Sequence, residues 1–173
     1  MPNATAIILK NIRKAVSEGD AVLTLDASNA FNTISRAHLE RVIGKSPNKM
    51  LQQYFRFAYY SPIAAFARTG ATGSMRVDVM EGVLQGDLPS GHFFNSGIVD
   101  PINTAMPTLR KLAFFDDLSA CGEPSKLVRA AIQAAAELSK AGIKINFKKS
   151  ELFCPHGIDA DTRAQAETLG LQV

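Results

Sequence analysis

Two apolar runs in this chain end in carboxylates. AVLTLDAS at 21–28 is a continuous apolar stretch with β-branched members, the pattern of a buried strand, and Asp26 lies near its end. KLAFF at 111–115 is followed at once by Asp116 and Asp117, and then by the short return LSAC. A carboxylate at the end of a buried strand is costly unless it has a task or a partner. Asp26 and Asp116 are 90 positions apart, and adjacent strands of one sheet would bring them together. A solvated turn is the other reading of the pair, since Asp is a common turn residue. Spacing alone does not separate a buried structural Asp near such a turn from a cluster of carboxylates that needs cations.

The remaining chain sets the frame for those strands. With 173 residues, 46% hydrophobic and 20% charged, it can bury a core and is expected to form one domain over 1–173. A net charge of +3 leans toward a polyanionic partner such as nucleic acid. Cys121 and Cys154 have neither metal-ligand nor disulfide-framework spacing, which predicts free thiols in a reducing, intracellular compartment. His38, His92 and His156 are scattered and show no zinc pattern. No apolar run is long enough to span a bilayer, so no membrane partner is expected. Residues 1–17 contain no acid and include Lys10, Arg13 and Lys14, which leaves a mitochondrial transit segment as one reading. The stretch TAIILKNIRKAVSEG reads more simply as a helix ending at Gly19 with its apolar side packed on the domain.

Local signals predict the intervening elements. Ser35 can cap a helix through about Gly44, and Pro47 can open another through KMLQQYFRFAYY, whose aromatics are assigned to the core. IAAFARTG and SMRVDVMEG read as two strands joined around Gly70 to Gly73. A helix is expected from about Ser90 to Thr104, interrupted by Gly91 and Gly97. Ser125 is assigned as the cap of KLVRAAIQAAAELSKAG, which stops at Gly142, and IKINF as a strand after it. The result is an α+β chain in which helices back a small antiparallel sheet.

Four segments carry a resemblance. DASNAFNTIS, EGVLQGDLPSGHFFN, FFDD and AGIKINFKKSELF occur in that order between residues 21 and 153. Together they resemble the palm of reverse transcriptases, particularly those of non-LTR retrotransposons and group II introns. The resemblance implies a single polymerase palm domain over 1–173. It also implies two-metal nucleotidyl transfer, with Mg²⁺ or Mn²⁺ as cofactor and an RNA template, a DNA primer and dNTP as partners.

Residue by residue, the resemblance implies that Asp26 and Asp116 are the main metal ligands, with Asp117 the neighbouring acid. Phe31 falls where the family has an aromatic steric gate against the ribose 2′-hydroxyl, which favours DNA synthesis. Gln85 and Gly86 match the step that positions template and incoming nucleotide. Lys149 matches the lysine that stabilises or protonates departing pyrophosphate. After that Gln-Gly step the chain has Leu88, Pro89, Ser90 and Gly91 where the family commonly has Pro-Leu-Ser-Pro, which implies a rearranged loop. Only 25 residues precede Asp26 and the chain ends at Val173, so fingers and thumb are expected to come from other chains. The alternative is a catalytically silent palm reused as a structural subunit of a larger assembly such as a ribonucleoprotein.

Overall fold

The computed structural model describes residues 4–70, 73–114 and 117–173. In chain order the first elements are α1 (Ala4–Ser17), β1 (Ala21–Ser28), α2 (Ala30–Thr33), α3 (Arg36–Gly44), α4 (Lys49–Tyr59), β2 (Ile63–Thr69) and β3 (Gly73–Val79). They are followed by α5 (Ser90–Ala105), β4 (Arg110–Phe114), β5 (Asp117–Gly122), α6 (Pro124–Lys140), β6 (Lys144–Ile145), β7 (Glu151–Phe153) and α7 (Ala160–Leu169). The chain divides into two compact units, one from the described residues of Met1–Ser28 and Ile98–Val173, the other from Asn29–Gly97.

In the first unit β1 is the central strand of an antiparallel sheet. On one side it pairs with β5, from Ala21↔Gly122 to Asp26↔Asp117, and β4 pairs beyond β5. On the other side it pairs first with β7, at Val22↔Phe153 to Thr24↔Glu151, and then with β6, at Ala27↔Ile145 and Ser28↔Lys144. Helices cover the sheet because β1 is apolar toward both faces: Val22 clusters with Ala15 of α1 and Cys121 of β5, and α6 packs on β1 and β5. The buried stripe of α6, Leu127, Val128, Ala131, Ala134 and Leu138, follows the helical repeat. The second unit holds α2, α3, α4, the β2–β3 hairpin and the first turns of α5. Its core is aromatic: Phe93 meets Phe55 edge-on at 5.2 Å and Tyr59 at 6.0 Å.

Several local expectations change. The cap position of α6 is Glu123, not Ser125, because Pro124 occupies the first turn with its φ already helical; Ser125 Oγ donates instead to Glu123 Oε1 at 2.8 Å. The cap of α4 is Asn48, one residue after Pro47, and its Oδ1 accepts from the N–H groups of Met50 and Leu51. The α4 aromatics divide by helical period, with Phe55 and Tyr59 buried four residues apart while Phe57 is 90% and Tyr60 77% exposed. The IKINF strand shortens to Lys144–Ile145, because the chain turns at Asn146 into a 3₁₀ helix, Phe147–Lys149. Among the described residues no helix is long and apolar enough to cross a membrane.

Candidate functional site

The face of the sheet that carries Asp26 changes character rung by rung. Alternation places Val22, Thr24 and Asp26 on one face of β1, directly opposite Cys121, Ser119 and Asp117 of β5. The first rung is apolar and packs on α1, the second pairs two hydroxyls, and the third pairs two carboxylates. Asp26 is half-buried and Asp117 exposed. Asp116 lies outside the described residues.

Main-chain bonding decides how close that third rung is. The Asp26 N–H donates to Ser150 Oγ at 3.0 Å, and the Asp26 carbonyl accepts from the Asn146 N–H at 2.8 Å. Both polar groups of Asp26 therefore point away from β5, which makes Asp26↔Asp117 a non-hydrogen-bonded pair. Such pairs have the shorter Cα separation, about 4.5 Å, and the closer side chains. The same two residues, Asn146 and Ser150, bracket the 3₁₀ turn that carries Lys149, whose side chain is exposed.

Like charges directly opposite on one rung are destabilising, here by up to about 1 kcal/mol because Asp117 is exposed. Among the described residues neither has an ion-pair or side-chain hydrogen-bond partner. An all-oxygen pair of this kind fits a hard divalent cation. No group of three or more His, Cys, Asp or Glu able to hold a metal ion occurs among the described residues.

Phe31, Gln85 and Gly86 belong to the Asn29–Gly97 unit. The Phe31 ring stacks on Phe94, with centroids 4.3 Å apart and planes at 12°. Its carbonyl accepts from the Val83 N–H at 2.7 Å, and the Ile34 carbonyl accepts from Gly82 at 2.9 Å, so the turn bearing Phe31 is stitched to the segment leading into Gln85. Gln85 and Gly86 form the tip of a turn closed by Asp87 N–H to the Leu84 carbonyl at 3.2 Å. Gly86 has φ +91°, the conformation required at the third position of a type II turn. Both residues are exposed, and a Cβ on Gly86 would meet nothing within 4 Å.

That turn is anchored by residues sequence reasoning passed over. Tyr54 and Tyr59 donate to the two carboxylate oxygens of Asp87, at 2.7 and 2.5 Å, and the Leu84 N–H donates to the Tyr59 hydroxyl at 3.3 Å. Burial, then the bond to Asp87, raises the Tyr59 pKa well above the ordinary tyrosine value; the Asp87 bond is the main cause of a raised value at Tyr54. Ser150, fully buried beside Lys149, is the other missed residue. A small hydroxyl directly after a two-lysine run was the only local sign of it; the positions of its partners depend on the fold.

No protein-family profile and no curated protein sequence matches this chain. Solved structures do. Apo telomerase from Candida tropicalis, truncated from its C-terminal domain, superposes with a TM-score of 0.67 at 15% identity over 92% of this chain and 36% of that one. Telomerase from Candida albicans, in complex with a TWJ fragment of telomeric RNA, superposes with a TM-score of 0.64 at 10% identity over 88% and 32%. This chain spans about a third of the length of either. The fold is reverse-transcriptase-like, α+β with small antiparallel sheets.

Proposed function

We propose that this chain is the palm of a reverse transcriptase of the non-LTR and group II intron kind, adding deoxynucleotides to a primer on an RNA template. The observation that carries the reading is the Asp26↔Asp117 rung: two facing carboxylates without a cationic partner among the described residues. Asp26, Asp116 and Asp117 would hold Mg²⁺ or Mn²⁺. When bound, such ions activate the primer oxygen and stabilise the charge developing on the triphosphate.

The chain's own residues account for the rest of the reading. Asp26 is held through both its N–H and its carbonyl, so its carboxylate is presented from a fixed backbone. Phe31, braced by Phe94, supplies a ring against the sugar. The exposed Gln85–Gly86 turn offers a side-chain amide and an open backbone for close approach to a nucleotide or template. Lys149 supplies an ammonium that can donate a proton to departing pyrophosphate. Telomeric RNA in the Candida albicans telomerase structure supports nucleic acid as the partner.

Calorimetric titration of Mn²⁺ tests the centre. Binding should be weak in the wild type and lost in Asp116→Ala. Identical binding in the two proteins would overturn the metal centre and leave a structural palm. Primer extension by the isolated chain should be negligible, because positioning of primer and triphosphate supplies roughly 7–11 kcal/mol of barrier reduction and needs more than a palm.

A further inference from the structure

The Asn29–Gly97 unit contains a cavity of about 190 Å³ between α3 and α4, with Arg36, Glu40, Phe55, Arg56, Tyr59 and Tyr60 among its walls. It exceeds the roughly 150 Å³ apolar cavity that accepts benzene and falls short of the roughly 300 Å³ at which drug-sized sites begin. One planar ring system fits that size.

Its polar groups are unusual for a packing defect. Arg36 is 8% exposed and lies 5.4 Å from the centre of the Tyr59 ring. Its Nε donates to the Gly82 carbonyl at 2.9 Å, and its two terminal nitrogens donate to Ser61 at 3.3 Å and Glu81 at 3.4 Å. A guanidinium has five N–H groups, so two remain beyond these three bonds of a residue that lines the cavity. Glu40 lies one turn further along α3, on the same side of the helix, and has no ion-pair or side-chain hydrogen-bond partner among the described residues. The cavity therefore presents donors and an acceptor together with aromatic surface.

A purely apolar occupant would make no use of the two remaining Arg36 N–H groups, and a simple anion would face the Glu40 carboxylate. Guanine satisfies both. Its O6 and N7 accept from arginine, the commonest specific arginine contact to a base, while its N1–H and amino group donate to a carboxylate. Adenine replaces O6 with an amino donor and loses the paired acceptors. Tyr60, 77% exposed, supplies a face on which a base can stack. We infer that this cavity is a guanine-binding pocket, with Arg36 reading the acceptor edge, Glu40 the donor edge and Tyr60 providing the stacking wall.

The base could belong to a free nucleotide or to a single strand, and the experiment separates the two. The full chain is titrated with GMP and AMP by calorimetry, and with short labelled oligouridines containing one central guanine or adenine by anisotropy. EDTA is present throughout, so the result is independent of the Asp26–Asp117 centre. Guanine should be preferred by roughly tenfold. Preference with GMP identifies a nucleotide pocket; preference confined to the oligonucleotide identifies a pocket for a base in a strand. Glu40→Gln and Tyr60→Ala, both at exposed positions, should each remove most of the preference while the thermal melt remains cooperative. The absence of a guanine preference in both formats, or its full retention in both variants, would overturn the assignment.

Discussion

The main-chain N–H of Asp26 is bonded to the side chain of Ser150, not to a neighbouring strand. Between the last β7 pair at Thr24 and the first β6 pair at Ala27, β1 has no strand on the side away from β5. Ser150 Oγ fills that gap, accepting from Asp26 and donating to the Asn146 carbonyl at 2.9 Å, while Asn146 returns a bond to the Asp26 carbonyl. A buried hydroxyl thus completes the sheet where the candidate metal ligand stands.

Ser150→Ala should therefore destabilise the protein by about 1–3 kcal/mol, the cost of leaving buried main-chain groups unpaired. Urea unfolding measures it, and amide exchange at Asp26 should accelerate in parallel. An unchanged midpoint would mean that water takes over the role of the hydroxyl.

Asp26→Asn should raise the stability of the metal-free protein by about 0.5–1 kcal/mol at low salt, because it removes a like-charge rung. It should also abolish any stabilisation by added Mg²⁺ or Mn²⁺, which acts only through binding to the folded state. Thermal melts with and without divalent ion give both quantities. A variant less stable than wild type without metal would count against repulsion on this rung.

Tyr59 should ionise last of the three tyrosines in alkaline titration followed by phenolate absorbance. Its folded pKa is raised above the unfolded value of about 10, so its contribution to stability is complete below about pH 10 and is lost as pH rises through the folded value. Tyr59→Phe should delete the latest step. A late step that survives that substitution would assign it to another residue.

Gly82 and Gly86 should respond differently to alanine although both have positive φ. A Cβ at Gly82 would lie 2.4 Å from the Asn32 carbonyl oxygen, so Gly82→Ala should cost more than about 2 kcal/mol. Gly86 has open space around it, and Gly86→Ala should cost about 1 kcal/mol from backbone strain alone. Urea midpoints rank the two. Any loss of nucleotide or template binding in Gly86→Ala beyond that small stability change would mark a close approach by ligand.

Phe31→Ala removes a ring stacked on Phe94 and should cost about 1–3 kcal/mol, since the side chain is only half-buried. In any assembly where synthesis occurs, the same variant should admit ribonucleotides, read as the ratio of rNTP to dNTP incorporation. Unchanged sugar discrimination would leave Phe31 as a packing residue.

Much of this architecture was legible in the chain because it is set by local chemistry. The apolar run ending at Asp26 becomes the central strand, Ser35 caps α3, and the glycine-joined runs pair as β2 and β3. Each depends on periodicity, capping or turn residues within a few positions. Helical period also separates Phe57 and Tyr60 from Phe55 and Tyr59, but which face is buried depends on what packs there, and Phe93 comes from a distant segment.

By itself, then, the sequence determined the α+β element order and placed Asp26 near the end of one apolar strand and the Asp116–Asp117 pair directly after another. Only the tertiary structure decided that these two share a rung, that the rung is the close type, and that Ser150 stands in for a missing strand at Asp26. Strand propensity is a property of each run alone, whereas register depends on pairing between residues far apart in sequence. The Ser150 hydroxyl finds its partner 124 positions away, and no local pattern encodes which orphaned backbone group it will meet.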